Sequence, residues 1–390
     1  MSIYVDASAN SLTKFGEELC GDKVEVVRGP GEVTVVLADG LGSGVKANIL
    51  ATLTSKIAAT MLSNGADIGE VVETVASTLP VCKERGIAYS TFTILQVDGS
   101  GAARLVEFDN PEAVLLREGR EISLKKHTLR YDGKAIKVSN FNMEPGDACV
   151  LFSDGAVHAG VGKLLNFGWQ RDNVVDYLSG YCKKDMPARF LTNQLLGACN
   201  SLYMEQPGDD TTVATVKVCA EQPCTVLVGP PVDAKDDCLL VEKFLKLPGK
   251  KVVCGGTTSK IVSRLMNREL TVDLQYESPD VPPVGYIEGI DLVTEGVVTL
   301  RKASSVIRDY LEQNGEAKAC RFLQERDGAS RFAKMLLEQS NHIHFIVGKA
   351  LNPAHQNPDL PYNLSIKFDL VQKIAALLTG CGKKVFIEYC

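Results

Sequence analysis

Four acidic positions in the first half of the chain share one local context. Each stands at the edge of a strand-like run and beside a glycine: Gly21-Asp22, Asp39-Gly40, Asp154-Gly155 and Gly208-Asp209-Asp210. One Asp-Gly pair by itself is most often a plain turn. The set carries more, because loops at strand ends converge in space although they are far apart in sequence. Converging carboxylates repel one another unless cations neutralise them, and an all-oxygen set selects hard ions such as Mg²⁺ or Mn²⁺. Two such ions held by shared carboxylates activate a water and stabilise charge on a phosphoryl group.

The residues around these aspartates form a recognisable series: Cys20-Gly21-Asp22, Ala38-Asp39-Gly40-Leu41-Gly42-Ser43-Gly44, Ser153-Asp154-Gly155 and Gly208-Asp209-Asp210-Thr211-Thr212-Val213. In order, spacing and the helix pair after the second motif, it resembles the metal-dependent protein phosphatases (PPM family). Pro145-Gly146-Asp147 and the strand Ser90 to Val97 fit the bacterial stage II sporulation protein E branch of serine phosphatases. The resemblance covers roughly residues 10–219. It implies an αββα sandwich, two packed antiparallel sheets flanked by helices, with the metals at one end. It implies that Asp39 bridges two Mn²⁺ or Mg²⁺ ions, with the Gly40 carbonyl completing one site. Asp22, Asp154 and Asp209 would supply the other direct or water-mediated ligands, and Asp210 would act behind them or on a third ion. An activated water would attack phosphorus in line and release phosphate from serine or threonine, without a phosphoenzyme. The substrate would be a phosphorylated protein, such as a small anti-sigma-factor antagonist. The helix pair at 45–79 would shift to complete or disrupt the metal site, often through homodimerisation. Two positions depart from the pattern. Cys20 stands where the family usually has serine. His158 stands where an acidic residue is common, either as a proton donor to the leaving alkoxide or as a plain loop histidine.

The second half carries a different pattern. Gly255-Gly256-Thr257-Thr258-Ser259 follows a strand and opens a helix, where backbone amides and hydroxyls suit an anion or phosphate, or simply an N-cap. Glu295, Asn352 and His355 also follow predicted strands, so a parallel sheet would gather all of them at its carboxyl edge, the ligand edge of such folds. His342 and His344 share a strand face, as a metal pair or as half-buried polar residues.

The elements that position these residues are legible from periodicity. Val33 to Leu37 reads as a buried strand, and Val45, Ile49, Leu50, Leu53, Ile57 and Met61 share a helical face that predicts a helix packed on that side. A second helix carries Ile68, Val71, Val72, Val75 and Leu79 and stops at Pro80. Ser90–Val97, Arg104–Phe108, Ala113–Arg117, Ala135–Val138 and Ala148–Phe152 read as strands joined by glycine turns, which predicts an antiparallel sheet. Helices lie between 173 and 203, and Thr211–Cys219 is a further strand. Ala220-Glu221-Gln222-Pro223 reads as a linker. After it strands at 225–228, 251–254, 290–293, 343–347 and 384–388 alternate with helices at 260–267, 300–313, 329–339 and 367–378. That alternation predicts an α/β, Rossmann-like fold. The chain therefore divides into a phosphatase domain, 1–220, and an α/β regulatory or ligand-binding domain, 221–390.

Composition narrows the partners. Of 390 residues, 42 are Lys or Arg and 48 are Asp or Glu, a net charge of −6. That balance argues against nucleic acid and against a polybasic membrane module. No apolar run reaches the length of a membrane span. The N-terminus, with Tyr4 and Asp6, lacks a basic–apolar–small leader. None of the 12 Cys forms a C-x-x-C pair, so reduced thiols in a cytoplasmic protein are expected. Two rivals to the phosphatase reading follow. One is an inactive pseudophosphatase that acts as a ligand- or partner-binding scaffold, although all the aspartates are kept. The other places the main activity in a nucleotide- or phosphate-binding second half.

Overall fold

Alternation of side chains along the strands builds the first layer of order. The computed structural model describes residues 3–29, 31–78, 81–82, 87–88, 90–131, 134–272, 281–312, 325–350 and 366–390. They separate into two units, Met1–Ala220 and Glu221–Cys390.

The first unit contains β1 (Ile3–Leu12), β2 (Asp22–Gly29), β3 (Glu32–Gly40), α1 (Gly44–Ser63), α2 (Ile68–Thr78), β4 (Val81–Cys82), β5 (Ile87–Ala88), β6 (Ser90–Asp98), β7 (Ala102–Phe108), β8 (Val114–Arg117), β9 (Arg120–Glu121), β10 (His127–Tyr131), β11 (Lys134–Asn142), β12 (Ala148–Phe152), α3 (Asp154–Val157), α4 (Arg171–Tyr181), α5 (Ala188–Leu202) and β13 (Thr211–Ala220). One sheet runs β1-β13-β12-β8-β9 and the other β10-β11-β7-β6-β3-β2, with every pairing antiparallel. Odd and even residues of a strand face opposite ways. Val35 and Leu37 therefore meet Leu151 and Val216 between the sheets, while Val36 and Ala38 pack under α1 and α2. On the far side, Val150, Phe152 and Val213 pack under α4 and α5. The unit is a mixed α+β sandwich of two antiparallel sheets with helices outside, as the sequence predicts.

The buried face of α1 is not the expected one. Val45, Ile49 and Leu53 are exposed, whereas Ala47, Ala51, Thr54, Ser55, Ala58, Ala59 and Leu62 are buried. The reason is close approach. A Cβ at Gly40 would overlap the Ala47 carbonyl, so α1 lies too near β3 for large side chains at that contact. Leu50, Ile57 and Met61 reach the core only partly. The Pro80 stop lies outside the described residues.

The turn before β12 is tied by a buried acid. Asp147 is 1% exposed, and both its oxygens accept from Arg117, at 2.9 Å from Nε and 2.8 Å from a terminal nitrogen. Removing the guanidinium leaves that buried carboxylate without its compensating charge, although the Glu144 amide still donates to it at 2.8 Å. Arg117→Met is expected to cost about 2 kcal/mol, discounted because the Arg117 side chain is itself 33% exposed; urea titration of both proteins measures it.

The second unit contains β14 (Pro223–Val228), α6 (Asp237–Lys246), β15 (Lys250–Cys254), α7 (Gly256–Met266), β16 (Thr271–Val272), β17 (Gly285–Tyr286), β18 (Leu292–Thr294), α8 (Val297–Glu312), α9 (Gly328–Glu338), β19 (His342–Val347), α10 (Ile366–Gly380) and β20 (Lys384–Tyr389). Its sheet order is β16-β17-β18-β15-β14-β19-β20, parallel from β18 to β20 and antiparallel at β17 and β16. Leu227, Val253 and Ile346 point toward α6 and α7, while Val226, Val252 and Phe345 point toward α8, α9 and α10. Helix α6 is absent from the sequence reading, and α7 and α8 each begin about a turn earlier than periodicity suggests.

Candidate active site

Strand pairing sets the centre of the site. β2 and β3 run antiparallel with Asp22 directly opposite Asp39. The Gly40 amide donates to the Gly21 carbonyl at 3.2 Å, and the Ser90 hydroxyl donates to the Asp39 carbonyl at 2.9 Å, so the backbone beneath both aspartates is fixed. β12 ends at Phe152 and β13 begins at Thr211, adjacent antiparallel strands. The segment after β12 and the segment before β13 therefore emerge at the same end. These carry Asp154, at the start of α3, and Asp209-Asp210. Ser153 and Thr212 lock the two segments by reciprocal bonds, Ser153 N to Thr212 O at 3.0 Å and Thr212 N to Ser153 Oγ at 2.9 Å. Tyr203, buried, donates to the Gly155 carbonyl at 2.8 Å.

The four strand ends thus bring five carboxylates into one electrostatic neighbourhood. Burial first, then the charges of Asp22, Asp154 and Asp209, push the Asp39 carboxyl up to about 9. Burial also raises Asp22, to about 6; the hydroxyls of Ser153 and Thr212 pull it down, and Asp210 and Asp154 push it up. Asp209 is raised by burial and by Asp154, against the pull of Lys14. Asp210 is 4% exposed, and its Oδ2 lies against Gly21, where a Cβ would meet it at 2.8 Å. Asp22 Oδ2 and Asp210 Oδ2 are both buried without a hydrogen-bond partner.

These observations test the fit of divalent cations. The donors are all hard oxygens, two of them buried and unmet, and burial together with the neighbouring charges keeps a proton on Asp39 near neutral pH. Among the described residues, no three His, Cys, Asp or Glu side chains already converge as a ligand set. A cation binding here must therefore draw side chains together, and Asp39 must lose its proton. The donor chemistry fits Mn²⁺ or Mg²⁺.

Lys14 is invisible to sequence reasoning. Its amide donates to Asp210 Oδ1 at 2.9 Å, and its ammonium lies 3.9 Å from Asp209. The pairing of Leu12 with Thr211 puts it there, and no local spacing signals a partner so far along the chain. Glu17, which accepts from Ser43 Oγ at 2.9 Å, is hidden for the same reason. Cys20 is half-buried beside Thr212, 3.9 Å away, and burial pushes its thiol up to about 12. His158 is exposed after α3.

In the second unit, Gly255, Gly256, Thr257, Thr258 and Glu295 stand together at the carboxyl edge of β15 and β18. Asn352 and His355 lie outside the described residues. His342 and His344 each approach a glutamate, Glu221 and Glu388, at 3.3 Å.

The sandwich and the aspartate cluster at its end define a phosphatase domain of the PP2C type, in the PPM family. Residues 29–219 match the family described as Stage II sporulation protein E (SpoIIE), and this part of the chain belongs to that SpoIIE-like branch. The match takes in Asp39, Asp154, Asp209 and Asp210 and begins after Asp22. Among solved structures, the phosphatase domain of SpoIIE from Bacillus subtilis is similar at 19% identity, covering 57% of this chain and 95% of that one, with a TM-score of 0.45. A second structure, of the same domain with a fragment of its regulatory domain, gives 20% identity, 56% and 64% coverage and a TM-score of 0.48. RsbX in complex with magnesium gives 17% identity, 55% and 95% coverage and a TM-score of 0.41. In a comparison with curated proteins, nothing matches the chain. No described helix is long and apolar enough to cross a membrane.

Proposed function

We propose that this chain is a Mn²⁺- or Mg²⁺-dependent protein phosphatase that hydrolyses phosphoserine or phosphothreonine in a protein substrate, with the second unit as a sensor. The observation that carries this reading is the gathering of five mutually repelling carboxylates, two with buried unmet oxygens, at one end of the sandwich. Asp22, Asp39, the Gly40 carbonyl, Asp154, Asp209 and Asp210 would hold the ions. When bound, the ions supply an activated water and offset charge on the phosphoryl oxygens. The chain's own part is placement. The Asp22–Asp39 pair sits on rigid strand ends, Ser153 and Thr212 hold Asp22 toward its ionised form, and Lys14 orients the Asp209-Asp210 turn. By family analogy the substrate is a small phosphorylated regulator, such as an anti-sigma-factor antagonist. The parallel strands of the second unit run in the order third, second, first, fourth, fifth, which supports a Rossmann-like reading.

The assay is release of phosphate from a phosphoserine peptide by the full chain with Mn²⁺. Activity that disappears in EDTA and returns with Mn²⁺ supports the proposal. A chain that binds Mn²⁺ calorimetrically yet releases no phosphate from any phosphopeptide is the scaffold instead.

The outward stripe of α1 supports self-association. Val45, Ile49 and Leu53 are 58%, 52% and 46% exposed on successive turns beside the site. The double change Ile49→Glu and Leu53→Glu is expected to alter monomer stability by no more than about 0.5 kcal/mol. Sedimentation should then show a dimer in the parent and a monomer in the variant.

A further inference from the structure

Helix α7 begins without the side chain that usually satisfies a helix start. Its N-cap is Gly255, at φ +121°, and no side chain caps its first amides. Helix α9 in the same unit shows the ordinary arrangement, where Asp327 accepts from the amides of Ala329 and Ser330. The first amides of any helix lack helical acceptors and carry partial positive charge.

A second observation points into the same place. Thr258, in the first turn of α7, is 2% exposed, and its hydroxyl has no hydrogen-bond partner. That hydroxyl faces the helix start, because a Cβ on Gly255 would stand 3.1 Å from it. Thr299, the third residue of α8, is also fully buried with an unmet hydroxyl. The two helix starts are neighbours: a Cβ on Gly296 would lie 3.6 Å from the Gly255 Cα. Buried hydroxyls are nearly always bonded, so two unmet ones beside adjacent helix starts ask for an acceptor.

Glu295 tells which kind. Its Oε2 accepts from the Gly296 amide at 3.2 Å, and its Oε1 lies 3.1 Å from where a Gly256 Cβ would stand. An anion is therefore already drawn to this spot, on an exposed side chain that is free to swing away. One carboxylate leaves both threonine hydroxyls unmet, whereas a phosphate group brings three acceptor oxygens.

We propose that the carboxyl edge of β15 and β18 binds the phosphate of a small phosphorylated molecule at the start of α7, with Thr258 donating to it and Glu295 displaced by it. This places the functional hydroxyl at Thr258 rather than at the exposed Thr257. The site is independent of the phosphatase reading.

The test is calorimetric titration of the full chain with inorganic phosphate, AMP and ribose 5-phosphate. EDTA is present throughout, so that phosphate finds no cation at the aspartates of the first unit. Binding by AMP alone identifies a nucleotide site, and binding by ribose 5-phosphate as well identifies a sugar-phosphate site. Thr258→Val is expected to weaken binding about tenfold, and to raise the melting temperature of the ligand-free protein because a methyl replaces an unmet hydroxyl. Glu295→Gln is expected to tighten binding about threefold or more, since the competing charge is gone. If Thr258→Val does not fold, Thr299→Val and Glu295→Gln carry the test. Absence of heat from all three probes with both the parent and Glu295→Gln overturns the proposal. So does binding that Thr258→Val, or in its place Thr299→Val, leaves unchanged.

Discussion

Asp39→Asn is expected to lower phosphopeptide hydrolysis by about a thousandfold and, in EDTA, to raise the melting temperature of the same protein. The two effects have opposite signs because one group serves two states. Asp39 is pushed up to about 9 by burial and by Asp22, Asp154 and Asp209. Its folded value lies above its unfolded value of about 3.9, so the folded chain binds more protons. Stability from this group is full below pH ~4 and is lost as pH rises toward 9. Asp22, raised to about 6, adds a slope in the lower part of that window. The parent in EDTA should melt higher at pH 5 than at pH 8, and the Asp39→Asn variant should show a flatter profile. Mn²⁺ should raise the melting temperature of the parent far more than that of the variant. Equal hydrolysis by the two proteins, or a lower melting temperature of the variant in EDTA, would remove Asp39 from the centre of the site.

The second large effect concerns Gly40→Ala. The added Cβ would overlap the backbone of Ala47, and backbone cannot rotate away as a flexible side chain can. The change is expected to cost about 3 kcal/mol, read from denaturant midpoints. It should also push α1 off β3 beside the Gly40 carbonyl, so hydrolysis is expected to fall even where the variant is fully folded. Gly197→Ala, in α5, is the control, because open space lies where its Cβ would stand and alanine favours the helix. That variant should be at least as stable as the parent. A Gly40→Ala protein as active and stable as its parent would show that the α1–β3 approach is not tight.

Much of this is legible in the sequence, for identifiable reasons. Buried central strands such as Val33–Leu37 and Ala148–Phe152 are continuous apolar runs, and the motif aspartates sit at their ends, so strand boundaries alone assemble the site. β1 escapes such reading because Ile3–Leu12 is a mixed, half-exposed strand with little periodicity. The face of α1 comes out wrong because periodicity counts large apolar residues, whereas close packing on β3 selects small ones. Lys14 and Glu17 stay invisible because their partners are brought in by pairing between distant strands. In the second unit, Thr257 and Thr258 look alike in sequence, and only burial separates them.

The pairing of β1 with β13, Leu12 opposite Thr211, also orders the birth of the molecule. Asp22 and Asp39 are synthesised early, but Asp209 and Asp210 arrive with the strand that closes the sandwich. A nascent chain that has not yet released Asp209 and β13 therefore holds three of the five carboxylates and leaves β1 without its partner strand. The finished carboxylate cluster and the finished fold come into being in the same step, so a unit cut off before Asp209 lacks both.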